Sequence, residues 1–190
     1  LLSDRVFGGA DTLATSSVIT EAIVKLNEKE PVDLVICGKQ TIDGDTAQVG
    51  PGIASRLNFS QLTLVDNILE IDEQKKIIRI QRKLEEHHEI VESTLPALIT
   101  VEREINTPRY PTVLGRLDAD EAQMPVWNNG FLKLDPKTIG LQGSPTQVRR
   151  IFAPEREQGE IIQGEGEHKD SAVKNMFDKL ADWDFATPEE

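Results

Sequence analysis

Residues 34–36, Leu-Val-Ile, form an unbroken apolar run at the heart of the first sixty residues. Such a run suits a strand buried on both faces of a parallel sheet, which restricts the chain to folds that cover both faces. The flanking segments supply candidate covers. From Asp11 to Glu30, the residues Leu13, Val18, Ile19, Ala22, Ile23 and Leu26 recur at helical spacing. Asp11 or Thr12 can cap that helix, and Pro31 marks its end. After the run comes QTIDGDTAQVGPGIASRL, a polar loop leading into a second helix with Ile53, Ala54 and Leu57 on one face. Pro51 fits only the opening positions of that helix. Strand, loop and helix in this order make an α/β unit. Leu1-Leu2-Ser3-Asp4 reads as the tail of a strand already under way, so the front of the domain is expected to lie outside this chain.

The next stretch changes period. Gln61–Asp72, Lys75–Lys83 and Glu89–Glu92 are rich in β-branched and charged residues, which predicts antiparallel strands with tight connections. Leu95–Val101 reads as a further strand returning to the core. Pro108 and Pro111 exclude a regular helix or central strand over Thr107–Thr112. Residues 123–169 show little periodicity and many Gly and Pro, which predicts an extended arm. One helix follows over Asp170–Trp183, with Val173, Met176, Phe177, Leu180 and Trp183 on one stripe that should dock on something. The expected fold is α/β, a Rossmann-like parallel sheet with antiparallel additions and an extended C-terminal arm ending in a helix.

Charge and composition exclude several functions. A net charge of −12 offers no basic face for nucleic acid or an anionic membrane. No apolar stretch approaches the ~18 residues that span a bilayer. The N-terminus has neither the basic start nor the long apolar region of a signal peptide, and a cytoplasmic location is expected. A single cysteine excludes an internal disulfide and a multi-cysteine metal site. His87 and His88 are adjacent on a predicted strand and point to opposite faces, so no metal site is expected there. No nucleophile–base pair can be assigned, and no catalytic residue is named.

The candidate site is the quoted loop. Ligands of open α/β sheets bind at the carboxyl ends of strands, and this loop lies at such an end. It enters a helix N-terminus, where open amides and the macrodipole attract anions. Gly44, Ala47, Gly50 and Gly52 would let a ligand approach the backbone, while Thr46 and Gln48 can donate hydrogen bonds. Asp43 and Asp45 suit capping, bracing, or accepting from ribose hydroxyls. A nucleotide phosphate on the amides of about residues 46–50 is one reading; a capped turn that holds nothing is the other. Gly8-Gly9-Ala10-Asp11-Thr12 precedes the first helix in an equivalent place. Thr12 and Thr15 there could touch the same ligand, or Asp11 or Thr12 could be a plain cap.

Three runs, CGKQTIDGDTAQVGP, VEREINTPRYPT and SDRVFGGADTLATS, closely resemble the β subunit of electron-transfer flavoproteins. The resemblance covers about residues 1–116, and the family's N-terminal strand–helix portion is not among them. It implies that residues 1–122 are the C-terminal part of a nucleotide-binding α/β domain. Residues 123–190 would be an arm and helix that pack on a partner, the α subunit, which carries a redox FAD. In the family the β-subunit loop holds AMP, or in bifurcating members a second FAD that accepts hydride from NADH. The tail PVWNNGFLKLDPKTIGLQGSPTQVRRIFAPE resembles the bifurcating type, so FAD is expected and AMP is the alternative.

Carried onto this chain, the resemblance assigns the nucleotide to Ile42, Asp43, Gly44, Asp45, Thr46, Ala47, Gln48, Val49, Gly50 and Pro51. Cys37 and Gly38 lie at the strand end, with Thr12 and Thr15 opposite. The family also uses the NTPRYPTVLGR region to recognise acyl-CoA dehydrogenase partners. That implies a contact through Arg109, Tyr110, Thr112, Val113 and Leu114, with Arg116 adding charge; prolines stiffen the segment and lower its ordering cost. The expected role is therefore an electron carrier, NADH-oxidising if bifurcating. The rival from another class is a stress-protein-like sensor of adenine nucleotides. Gly50→Asp is expected to displace the ligand by clash and charge.

Overall fold

The computed structural model describes residues 1–153 and 169–182. They divide into two compact units, Leu1–Val148 and Arg149–Glu190. The elements in chain order are α1 (Thr12–Asn27), β1 (Leu34–Gly38), α2 (Val49–Leu57), β2 (Ser60–Asp72), β3 (Ile77–Lys83), β4 (His88–Thr94), β5 (Ala97–Val101), α3 (Val113–Glu121), α4 (Asn129–Leu132) and α5 (Lys169–Asp182).

In the first unit the sheet runs β1-β5-β2-β3-β4. β5 lies parallel between β1 and β2, while β3 and β4 add antiparallel to β2. The sheet is thus α/β with antiparallel additions, as the change of period predicts. β2 makes the transition between the two modes. It pairs with β5 through Ser60–Val65 and with β3 from Val65 onward. Between these halves Leu64 sits at φ 61°, and the register shifts by a bulge that bends the strand. The bend brings Ile78 and Ile80 of β3 into one buried cluster with Leu62, Val65, Ala97 and Ile99. Each such isoleucine contributes about 1.5–3 kcal/mol by burial.

The opposite face of β5 is covered by helices. Leu98 packs with Ile53 and Ala54 of α2, and Val35 and Cys37 of β1 join that cluster. β1 differs from the sequence expectation of burial on both faces. Among the described residues it is the outermost strand of the sheet, and Ile36 is 58% exposed on the face away from α2.

α1 places Val18, Ile19, Ala22 and Ile23 at the core as its spacing predicts, and departs from that reading at its leucines and at two polar positions. Asp11 caps it, and it ends at Asn27, whose side chain accepts from the amide of Val32 at 2.8 Å. Leu13 and Leu26 are exposed, whereas Ser16 and Thr20 are buried. Their hydroxyls donate to Leu13 O at 2.9 Å and Ser16 O at 2.7 Å, so burial leaves neither without a partner. A β-carbon on Gly52 would lie 2.9 Å from the Ser16 hydroxyl, so two small residues let α1 and α2 approach closely.

Residues 123–148 pack in the first unit rather than extending from residue 123 as an arm. Trp127 exchanges backbone hydrogen bonds with Leu1 and Ser3. Leu132 and Ile139 are buried against Val18 and Ala22 of α1. This packing proceeds through single residues in turns, which carry no period. The second unit contains α5, with Val173, Met176, Phe177 and Leu180 exposed along it. Trp183, assigned to the same stripe, lies outside the described residues, as does 154–168 of the expected arm. Among the described residues no helix is long and apolar enough to cross a membrane, and no cluster of His, Cys, Asp or Glu could hold a metal ion.

Candidate functional site

β1 ends at Gly38, and the chain does not re-enter regular structure until Val49. A β-carbon on Gly38 would meet nothing within 4 Å, so the strand end opens onto space. Ile42, Asp43, Gly44, Asp45 and Thr46 are exposed, and Ala47 is half-buried. The loop is braced from within. The amide of Asp45 donates to Thr41 O at 2.9 Å, and Gln40 Nε2 donates to the Asp45 carboxylate. The Thr41 hydroxyl holds the Asp43 carboxyl below the usual carboxylate range, with backbone donation helping. The Asp43 carboxylate is an acceptor only, which suits it to hydroxyls and not to phosphate.

The entry to α2 has a different character. No side chain caps its first turn, and Pro51 contributes no amide. Ala47 stands at φ 55°, although its β-carbon disfavours that region, and Gln48 returns to the right-handed region at φ −97°. The left-handed conformation costs a non-glycine residue about 1–2 kcal/mol. Successive residues of opposite hand turn their amides toward one point, the concavity that receives an anion. Strain of this kind is retained where the surroundings impose it, commonly at ligand sites.

The two predicted loops meet. Thr12 Oγ1 donates to Gln48 Oε1 at 2.9 Å, so the first turn of α1 and the start of α2 share one site. Thr15 lies one turn further along α1, half-buried. Other assigned residues face elsewhere. Cys37 turns toward α2, and burial pushes its thiol up. Gly50 also faces inward, because a β-carbon there would lie 2.5 Å from Thr100 Cγ2 and 3.5 Å from Leu98 Cδ2. Its small size serves the seating of α2 on β5, so the expectation that Gly50 makes room for a ligand needs correction. Gly52 serves the α1–α2 contact in the same way.

A second cleft, of about 700 Å³, opens at the same end of the sheet between the β1 loop and the β3–β4 turn. Composition gave no sign of it. Lys39 and Lys83 line it with Glu85, Glu86, Glu102 and Glu104, and Lys39 Nζ is paired to Glu102 Oε1 at 2.9 Å. The acidic excess repels phosphate, which leaves the α2 entrance as the anion-compatible side. The Lys39–Glu102 pair was legible only as charged residues just beyond two strands.

The segment assigned to partner recognition lies after β5. Arg109, Tyr110 and Thr112 precede α3, and Val113 and Leu114 open it. The region is therefore a loop and a helix, not a loop throughout. Thr112 Oγ1 accepts from the amide of Gly115 at 3.0 Å and caps α3. No residue of α3 is buried; Tyr110 is 97% exposed, Val113 77% and Leu114 73%.

Three proteins are similar to this chain in sequence. The chain is 47% identical over 165 residues to the caffeyl-CoA reductase–Etf complex subunit CarD of Acetobacterium woodii, covering 86% of this chain and 61% of that protein. It is 44% identical over 179 residues to Protein FixA of Azotobacter vinelandii, covering 93% and 62%. It is 40% identical over 184 residues to the electron transfer flavoprotein subunit beta of Megasphaera elsdenii, covering 95% and 67%. The chain thus spans about six-tenths of the length of the first two. The family model described as the electron transfer flavoprotein domain matches residues 1–130, and with these relatives it shows that the chain belongs to the electron transfer flavoprotein family.

Proposed function

We propose that this chain is the β-type subunit of an electron transfer flavoprotein and that it holds FAD at the entry to α2. The observation that carries this reading is the uncapped helix start, with left-handed Ala47 and the Thr12–Gln48 hydrogen bond beside an open Gly38. The amides of Ala47–Gly50 take the phosphates. Asp43 and Asp45 stand beyond them as acceptors for ribose hydroxyls, and Thr12, Thr15 and Gln48 close the opposite side. FAD supplies the redox chemistry when bound; the residues of this chain bind it, orient it and set its electrostatic surroundings. The partners we propose are an α subunit with its own flavin, and NADH or an acyl-CoA dehydrogenase-type protein as electron donor.

The full-length chain purified with its α partner tests this. Nucleotide released on denaturation is expected to be FAD, at two flavins per heterodimer. One flavin plus AMP supports the carrier with a structural adenylate, and no nucleotide from the β subunit overturns the reading.

The partner face follows from α3. Tyr110, Val113 and Leu114 are large apolar side chains in water, beside Arg109 and Arg116. Anchors of this kind dominate protein interfaces. Leu114→Asp touches no buried side chain, so it should leave the melting temperature unchanged. It should weaken docking of the dehydrogenase-type partner by about tenfold or more, equivalent to about 1.4 kcal/mol. Surface plasmon resonance with the assembled heterodimer reads this directly, and unchanged affinity removes α3 from the interface. α5, with its exposed Val173, Met176 and Phe177, we assign to the α subunit.

A further inference from the structure

We propose that Asp11 is a positioning residue that couples residues 144–148 to the nucleotide loop, so that occupancy of the loop stiffens this C-terminal segment. The proposal rests on the nucleotide reading above and adds to it a second, dependent region.

Asp11 divides its carboxylate between two tasks. Oδ1 accepts from the amide of Ala14 at 3.0 Å and caps α1. Oδ2 accepts from Thr146 twice, from its amide at 3.1 Å and from its hydroxyl at 3.0 Å. The amide of Asp11 in turn donates to Ser144 Oγ at 2.8 Å, and that hydroxyl donates to Gly140 O at 2.7 Å. One residue therefore fastens a segment more than 130 positions away in sequence. Burial pushes the Asp11 carboxyl up, but backbone donation from Ala14 and Thr146 and the Thr146 hydroxyl outweigh it and hold the carboxyl below the usual range. At neutral pH it is an anion whose two oxygens serve different parts of the chain.

The neighbouring residue makes the second connection. Thr12 donates to Gln48, the residue just before α2. Thr146, Asp11, Thr12 and Gln48 all line one cleft of about 380 Å³. A ligand that draws on Thr12 or Gln48 acts on the same helical turn that holds Thr146. Order imposed on that turn lowers the cost of ordering the segment beyond it, and the effect is reciprocal: a clasp that nucleotide tightens must itself tighten nucleotide.

The test uses the full-length chain with its α partner, as wild type, Thr146→Val, Thr146→Ser and Asp11→Asn. Thr146→Val removes the hydroxyl bond, and Thr146→Ser restores it. Asn at 11 still caps α1 through its oxygen but presents an NH2 group to the Thr146 donors. Titration calorimetry with FAD and with AMP reads affinity; hydrogen exchange over residues 144–148 reads order. In wild type and Thr146→Ser, nucleotide is expected to slow exchange there. In Thr146→Val and Asp11→Asn that ligand-dependent slowing is lost, and nucleotide binds about fivefold more weakly, at the low end for coupled sites because the clasp is half-exposed. If wild type binds neither nucleotide, the loop reading fails and the coupling fails with it. If wild type binds and both clasp variants keep their affinity and their ligand-dependent protection, the coupling alone fails. It also fails if exchange rises equally in the free and bound states, since that is loosening without communication. Loss of affinity in Thr146→Val but not in Asp11→Asn overturns it too, because Thr146 would then be touching the ligand itself.

Discussion

Gly50→Asp is expected to lower the melting temperature of the first unit by about 10 °C even in the absence of nucleotide. The backbone at Gly50 approaches β5 so closely that a β-carbon would stand 2.5 Å from Thr100 Cγ2. Thr100 is buried and its hydroxyl accepts from the amide of Leu64 at the β2 bulge, so it cannot give way without disturbing the bend that forms the core. Overpacking of a tight core costs about 1–3 kcal/mol. A carboxylate confined among Leu98, Cys37 and Thr100 meets no cation among them, which brings the total to about 4 kcal/mol. Gly50→Ala isolates the steric part and should fall between the variant and wild type. Thermal unfolding followed by circular dichroism checks both. A Gly50→Asp protein as stable as wild type, with nucleotide binding lost, would aim the Gly50 β-position at the ligand and sink the packing assignment.

The reason Gly50 misleads in the sequence is general to this chain. A glycine announces a close approach but not the object approached, and here Gly50 and Gly52 face β5 and α1 while Gly38 faces space. The strands were legible because alternation and β-branching are local signals: β2, β3, β4 and β5 all fall where the period changes. α1 was legible as a helix, and Val18, Ile19, Ala22 and Ile23 lie at the core as their spacing predicts; its polar core positions and exposed leucines were not legible. Ser16 and Thr20 satisfy their hydroxyls within the helix and pass as core residues, while Leu13 and Leu26 stay in water. α3 left almost no trace because it buries nothing; Thr112 as its cap was the one signal. Residues 123–148 were read as an arm because Leu132 and Ile139 reach the core singly from turns. In the candidate site, the loop was legible from its small and acidic residues. The Thr12–Gln48 contact required the approach of two helix starts 36 residues apart, which no local pattern encodes.

Gly38→Asp is the counterpart that reads the ligand alone. A β-carbon at Gly38 meets no atom within 4 Å, and its φ lies outside the left-handed region, so an aspartate can adopt the backbone without strain. The substitution should change stability by no more than about 0.5 kcal/mol, the range for an open surface position. It nonetheless sets a carboxylate at the end of β1, on the strand face it shares with Ile36, at the mouth of the loop that carries Asp43 and Asp45. Like charges at close range in an interface cost several kcal/mol. Across the strand end the effect is smaller, and FAD or AMP binding should weaken about tenfold, equivalent to about 1.4 kcal/mol. Gly38→Ala, which adds bulk without charge, should lose less. Raising the salt concentration should recover part of the Gly38→Asp loss and none of the Gly38→Ala loss, because screening acts only on charge. Calorimetric titration at two ionic strengths, with melting temperatures in parallel, separates these terms. Full-strength binding by Gly38→Asp at low salt means that the phosphates lie away from the strand end, which counts against the open end of β1 as part of the nucleotide site.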